Sequence, residues 1–483
     1  MESGNLGKEL FSGAFWSILD NLFKQVITFV VFILLARVLN PETFGLLAVP
    51  LLIVQIFSTV IFDSIATALI RKADIADDDY STGFWLCLGL SVPAFALLLA
   101  SAELIEHWIG TRGLAEVMRG TSVMILVGGL SRMHEVWLTK RMNFKSLAIR
   151  SSVSTAVGGS IGLYLAFKGY GITSLVSQQV VTSLLQLVLL WILSPWRPKL
   201  IISKPALFEI IHYGKHVALT GITNAANQNS DIFFVTYYLG PVATGIYTTG
   251  KRISNTLNQV ISTALLRVSL PAFSRIQNDE YRFKEAYLNS VAFTAMATAP
   301  LFIGLAVLSK DITLVLLDEK WLPAVPVMQI VTIVGFLTSI GYYNQSVMLV
   351  RNKPQWQTRL TLIYAVTNLI AFFIFTRFGV VYTALAFSLR ALLLFPISVG
   401  CAITLLSIPW KKYINAIYPA LVASLLMAIV LLGCSSMLSN SAPVLRLALL
   451  VVIGLASYGI FILFLLPVHK RTQLFHLLGL SAS

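Results

Sequence analysis

Apolar runs of about 20 residues follow one another along nearly the whole chain, broken only by short polar stretches that carry Pro, Gly or charge. A helix needs about 20 mostly apolar residues to cross the hydrocarbon core of a bilayer. By that measure fourteen spans are predicted, near 11–36, 44–69, 83–103, 114–138, 147–167, 172–194, 210–239, 242–268, 286–308, 323–350, 357–377, 380–405, 414–435 and 443–466. The breaks are short. The longest are expected at 269–285 and at 309–322, on opposite sides, and neither has room for a folded domain. One break is distinctive: Pro195, Pro198 and Pro205 punctuate a segment that also carries Arg197, Lys199 and Lys204. It divides the chain into a first bundle over 1–194, a linker over 195–205 and a second bundle over 206–405. Two helices and a tail remain over 406–483. The predicted fold class is therefore an all-α integral membrane protein with two six-helix lobes and two C-terminal helices.

Three of the spans are not uniformly apolar. The first carries Ser17, Asp20, Asn21, Lys24 and Thr28, the seventh Thr220, Asn224, Asn227, Gln228 and Asp231, and the eighth Thr248, Arg252, Asn255, Gln259 and Ser262. Residues three and four apart share a helix face, so each series is one polar stripe. Hydrogen bonding between neighbouring helices is a simpler account of the neutral members. Charges are a different matter, since Arg, Lys or Asp at mid-span costs about 2.5–3.5 kcal/mol on insertion scales. Polar faces that meet around water, with lipid behind them, remove that cost. Arg132 and Arg390 also lie inside spans, Arg132 three residues before Glu135 and Arg390 with no acid in its own span. Lys251 points about 100° away from Arg252, so one of the two is expected to face the centre of a cavity. The candidate anion-binding cations are thus Lys24, Arg132, Lys251, Arg252 and Arg390. Such an excess of positive charge suits a phosphate or diphosphate. Asp20, Asp63 and Asp231 are the candidates for carrying a coupling ion.

A short stretch occurs twice. Leu39-Asn40-Pro41 with Gly45 reappears 200 positions later as Leu239-Gly240-Pro241 with Gly245, each copy between two apolar runs. Proline cannot continue a helix from the preceding residue and glycine tolerates turn geometry, so both copies read as hairpins. Each follows a span with a polar stripe, and the offset is about one lobe plus its linker. The pattern predicts a parallel internal repeat.

Composition agrees with a bilayer. Hydrophobic residues make up 57% of the chain and charged residues 12%, against about 25% charged in soluble domains. The net charge of +14 would suit nucleic acid if it were clustered. Instead, twenty-one Lys and Arg fall on the side that carries both termini and seven on the other. That positive-inside bias places the termini in the cytoplasm and removes the case for nucleic acid. The first apolar run holds Asp20, Asn21 and Lys24, so no cleavable signal peptide is expected. Cys87, Cys401 and Cys434 lie singly in apolar runs, with no disulfide framework and no metal-ligand spacing. Gly245 to Lys251 matches the front of a nucleotide-binding loop, but Arg252 stands where Ser or Thr must reach magnesium. No cofactor is expected.

The run Phe15-Trp16, Leu34-Leu35-Ala36-Arg37-Val38-Leu39-Asn40-Pro41-Glu42-Thr43-Phe44-Gly45 resembles the opening of bacterial polysaccharide exporters of the Wzx type. Gly245-Ile246-Tyr247, Lys251-Arg252-Ile253 and Leu270-Pro271-Ala272-Phe273-Ser274-Arg275 resemble their seventh-to-eighth helix region, most closely in the colanic-acid-exporter-like branch. The resemblance implies a flippase of the bacterial inner membrane for undecaprenyl-diphosphate-linked oligosaccharide repeat units. Its further partners would be membrane lipid, a polysaccharide polymerase and other assembly proteins. It also implies two six-helix lobes around a cationic central cavity. Lys24, Lys251, Arg252 and Arg390 match cavity cations by their depth. Two rivals stand beside this reading. A multidrug antiporter on the same fold would want acidic cavity residues, and a membrane polymerase or ligase usually needs a sizeable exterior loop.

Overall fold

The computed structural model describes residues 21–438 and 441–466, with side chains left out of the description at 262–268. Among the described residues all regular structure is helical, in fourteen long helices. These are α1 (Asn21–Val38), α2 (Pro41–Arg71), α3 (Asp77–Ile109), α4 (Leu114–Lys140), α5 (Phe144–Phe167) and α6 (Ile172–Leu193). After the linker come α7 (204–239) and α8 (241–275), then α9 (Glu280–Leu316) and α10 (Val325–Val350). The last four are α11 (Pro354–Phe375), α12 (Val380–Leu405), α13 (Trp410–Met437) and α14 (Pro443–Leu465). Eleven are long and apolar enough to cross a membrane on composition alone. α5, α7 and α8 fall short because serines, amides and charges dilute their apolar residues.

The helices outrun their apolar cores, and two expected breaks shrink as a result. Most of 309–322 is helical, because α9 runs to Leu316 and a 3-10 turn spans Glu319–Ala324. The break expected at 269–285 reduces to 276–279.

The chain forms two compact units, Met1–Thr248 and Thr249–Ser483. In the first, α4 is the hub. It packs against α3, α6 and α2, while α5 packs on α6. Its core joins Phe62, Leu69, Phe84, Leu114, Met118, Ile125 and Met133. In the second unit α10 packs against α9 and α12, and α11 packs on α12. α13 then lies along α9, and α14 along both. Arg446 Nε meets the buried Asp311 carboxylate at 3.1 Å, and the Tyr458 hydroxyl donates to the Met296 carbonyl at 2.7 Å, so α14 is held by polar contacts as well as apolar ones.

The two units repeat the same internal plan: three-on-four, four-on-six and five-on-six in the first match nine-on-ten, ten-on-twelve and eleven-on-twelve in the second. The α4–α5 and α10–α11 turns repeat down to the backbone. Met142 (φ 56°) and Asn352 (φ 54°) both take left-handed geometry. Asn143 N–H donates to Leu138 O as Lys353 N–H does to Met348 O. A left-handed turn that ties off the last carbonyls is a common way to end a helix.

The proline-punctuated linker is not a free tether. Trp196 is buried among Tyr80, Phe84 and His134. Trp85 Nε1 donates to the Lys199 carbonyl at 2.7 Å, and Lys199 N–H donates to Ser81 Oγ at 3.2 Å. Ser203 N–H donates to Thr82 Oγ1 at 2.9 Å. The first three turns of α3 therefore hold the backbone of the linker nearly to the start of α7.

Candidate functional site

The repeated stretch folds as predicted, as two helix hairpins inside the first unit. In the first copy α1 closes with Leu39 N–H on Leu35 O, Asn40 is extended, and Pro41 begins α2 where its missing N–H costs nothing. In the second, Gly240 breaks the helix at φ 78°, ψ −177°, a conformation that glycine alone adopts readily, and Pro241 begins α8. The two turns meet. A Cβ added to Gly45 would fall on the Pro241 carbonyl oxygen, and one added to Gly245 on the Pro41 carbonyl oxygen. Each glycine thus lets the other copy's backbone approach to contact, and the relation is reciprocal.

Below this crossing the α7–α8 hairpin is closed by polar side chains. Thr236 and Thr244 hydroxyls lie 2.9 Å apart, so one donates to the other while its partner donates to the carbonyl four residues back. Asp231 is buried, accepting from the Tyr247 hydroxyl at 2.7 Å and from Ile232 N–H at 2.9 Å. This expected ion carrier is therefore also a strut of its own hairpin. On the stripes, Asn21 and Lys24 of α1 and Asn224 of α7 are exposed, and Asn227 is half-buried. Asp20 lies outside the described residues.

Arg132 sits in a cluster of its own. Its guanidinium bonds Asp63 through Nη2 and reaches Glu135 through Nη1 at 3.1 Å, and Arg150 Nη1 lies 3.4 Å from the same Glu135 carboxylate. Asp63 closes the π-helical stretch Ser58–Asp63 of α2. Such one-turn irregularities recur at functional sites. The cluster balances two guanidiniums with two carboxylates, one of them 46% exposed.

The remaining cations belong to the second unit. Arg252 is half-buried on α8, with Asn255 and Gln259 exposed further along. Lys251 is the more buried neighbour, and its Nζ lies 4.9 Å from the Phe387 ring centroid. Arg390, one turn beyond Phe387 on α12, sets its Cζ 5.6 Å from that same ring and 5.6 Å from the Tyr364 ring of α11. One aromatic ring is thus shared by two cations from different helices. Cation–ring attraction strengthens when water is excluded, reaching about 2 kcal/mol. Phe387 and Tyr364 were not expected from the sequence. The i, i+3 spacing of Phe387 and Arg390 was a usable signal, whereas Lys251 and Tyr364 lie on other helices. Among the described residues no group of His, Cys, Asp or Glu could hold a metal ion.

Comparison with known proteins agrees with this architecture. The chain is 28% identical to the succinoglycan biosynthesis transport protein ExoT of Rhizobium meliloti, over 67% of this chain and 66% of that one. It is 24% identical to the teichuronic acid biosynthesis protein TuaB of Bacillus subtilis, over 75% and 76%. It is 23% identical to the lipopolysaccharide biosynthesis protein WzxC of Escherichia coli, over 70% and 69%. Among solved structures, lipid II flippase MurJ in an inward closed conformation superposes with a TM-score of 0.73 at 16% identity, over 92% of this chain and 97% of that one. An inward-facing MATE multidrug transporter gives 0.62 at 13% identity, over 79% and 95%. These likenesses establish the fold. The polysaccharide biosynthesis protein family matches residues 34–326, more than half of the chain, and the chain belongs to it.

Proposed function

We propose that this multi-pass membrane protein flips undecaprenyl-diphosphate-linked oligosaccharide repeat units across the bacterial inner membrane, for synthesis of an extracellular or capsular polysaccharide or of lipopolysaccharide. The observation that carries the reading furthest is the sharing of Phe387 by Lys251 and Arg390. Two cations held at one ring in a membrane-spanning bundle offer the charge a diphosphate needs, together with an apolar wall. Relatives of this chain include a succinoglycan transport protein and a lipopolysaccharide biosynthesis protein, and a lipid II flippase shares its fold, which supports a lipid-linked saccharide as cargo.

The lobes are assigned to 1–194 and 206–405, joined by 195–205, with 406–483 added beside them. Both termini face the cytoplasm. Lys24, Arg132, Lys251, Arg252 and Arg390 draw in the diphosphate. Asn21, Asn224, Asn227, Asn255 and Gln259 hydrate the sugars, and the polyprenyl tail stays in lipid. Asp20, Asp63 and Asp231 are the residues through which an ion gradient would act. Transport follows alternating access of the repeated lobes. The protein works with a polysaccharide polymerase and other assembly proteins and catalyses no covalent step itself. Deleting the gene tests this. Lipid-linked repeat units should accumulate on the inner leaflet, and restoring the wild-type chain should clear them. Normal surface polymer without accumulation would overturn the assignment.

A further inference from the structure

The first turns of α7 carry two rows of side chains. His212 and His216 stand four apart, their rings edge to face with centroids at 6.2 Å. Phe208, Ile211, Lys215, Leu219 and Ile222, three and four apart, form the row beside them, and all five are exposed. Gly214 is on the buried side, where an added Cβ would rest 3.6 Å from the Ser64 carbonyl oxygen, so α7 lies close on the last turns of α2. Where α2 ends and α7 begins, within the first unit, there is a cavity of about 690 Å³. Its lining includes Arg71, Phe208, Glu209, His212, Tyr213 and His216.

The polar groups of this cavity are donors with little to donate to. Arg71 sets its Cζ 4.4 Å over the Tyr213 ring and reaches Glu209 only at 3.8 Å; among the described residues its guanidinium makes no hydrogen bond. Nor do the side chains of His212, Tyr213 and His216. Glu209, the acid of the lining, lies nearer to Lys72, at 3.5 Å. Lys215 adds a cation on a stem long enough to reach back toward the polar end. The depth is that of a headgroup. Arg71, Phe208 and Glu209 fall just outside the apolar runs 44–69 and 210–239, and His212, Tyr213 and His216 fall in the first two turns of the second run. From Phe208 to Ile222 the exposed row continues for about 21 Å along the axis, more than the roughly 15 Å of hydrocarbon in one leaflet. A basic pocket between helix ends, with an apolar track leading away from it, suits an anionic lipid.

We propose that this cavity binds an anionic phospholipid of the leaflet beside the linker, with the phosphodiester held by Arg71, His212 and His216 and the acyl chains laid along Phe208, Ile211, Leu219 and Ile222. The site shares no residue with the candidate cations of the transport path and does not depend on what the protein carries. Arg71 presents paired N–H groups that match two phosphate oxygens, and each neutral imidazole adds one N–H donor. A zwitterionic lipid brings the same phosphate with a cationic group beside it, which Arg71 and Lys215 disfavour. A lipid seated here touches both helices. It therefore clasps the end of α2 to the start of α7 and stabilises the folded chain by mass action.

Native mass spectrometry of the detergent-purified full-length protein tests this, by titration with dioleoylphosphatidylglycerol or with dioleoylphosphatidylcholine. The first lipid should bind at one site at least about 10-fold more tightly than the second, the scale of one charge-assisted hydrogen bond, and should raise the melting temperature. Arg71→Gln with His216→Gln should bring phosphatidylglycerol down to the phosphatidylcholine level and abolish that rise. Arg282→Gln, at an exposed arginine of the second unit, should change neither. If the double variant loses its cooperative melt, His212→Gln with His216→Gln takes its place, with a loss in the same direction. Equal binding of the two lipids, or a loss in Arg282→Gln as large as in the double variant, overturns the site. Displacement of phosphatidylglycerol by inorganic phosphate alone overturns it too, by marking a site for a soluble anion. Displacement by an equal concentration of undecaprenyl phosphate does the same, by making the cavity part of the path of a polyprenyl cargo.

Discussion

Phe387 does what no charged residue on the stripes could do alone, which is to keep two cations near one another. Lys251 and Arg390 repel, and the ring they share offsets part of that repulsion. Phe387→Leu keeps the apolar volume and removes the quadrupole. It should lower polysaccharide export about 10-fold, one factor for each 1.4 kcal/mol of cation stabilisation lost, while Phe387→Trp should retain it. Surface polymer yield normalised to membrane protein level measures both. Arg390→Ala should reduce export further, since it removes a charge as well as a contact. The Arg132 cluster calls for a different expectation, because its charges already balance. Asp63→Ala strips Arg132 of one of two acids. In a fully buried pair that would cost about 3–5 kcal/mol, and the partial exposure of Asp63 brings the figure down to about 1–3 kcal/mol. A thermal unfolding scan in detergent reads the loss. Of this cluster, only the Arg132–Glu135 pair was legible in the sequence, because three residues along a helix is a fixed spacing. Asp63 lies 69 positions from Arg132, and no local pattern announces a π-helical stretch that turns its carboxylate toward α4.

Among the elements, the α7–α8 hairpin and the two left-handed turns carry the most specific consequences. Tyr247→Phe leaves Asp231 without its hydroxyl donor in a buried setting, an expected loss of about 1–3 kcal/mol. Urea or thermal melts of the purified variant would record it. The left-handed turns make the opposite forecast. Met142 sits at positive φ, where a side chain with a Cβ is strained. Met142 is 38% exposed and gives up little packing, so Met142→Gly should stabilise by about 0.5–1 kcal/mol in the same melts. Asn352 tolerates the same geometry better, so Asn352→Gly should be nearly neutral. Beside α3, Lys72 lies outside the spans and its ammonium is held protonated above the usual lysine range, chiefly by its hydrogen bond to the Asp79 carboxylate. A raised lysine stabilises fully below its unfolded value and loses that contribution as pH climbs through the folded one. Lys72→Ala should thus weaken the protein at neutral pH by about 1–3 kcal/mol, since it strips a buried carboxylate of its ammonium partner, and make no difference in strongly alkaline buffer.

For the molecule as a whole, the sequence was most informative where physics leaves few choices. Backbone groups in lipid must be satisfied within their own segment, so long apolar runs have to be helices and can be counted. The duplication was visible from Leu39-x-Pro41 and Leu239-x-Pro241 because prolines and glycines mark turns. Its deeper layer was not visible, because the helix pairings in each unit recur through quite different side chains. Nor could the pattern show that the two marked turns touch, since a glycine needed for close approach looks like one needed for a bend. Loop lengths were overestimated for a related reason: charged ends of helices look like loops in a hydropathy profile.

The pinned linker has a consequence for how such a chain is made. Its backbone is bonded to side chains of the first turns of α3, all of which leave the ribosome long before it does. The first six helices can therefore receive residues 196–203 as a finishing strap before α7 is inserted. Assembly of the first half would then end with a locking step of its own, and nascent chains stalled once residue 203 has cleared the ribosome should already resist proteolysis across the linker, whereas chains carrying Trp85→Ala and Ser81→Ala should be cut there.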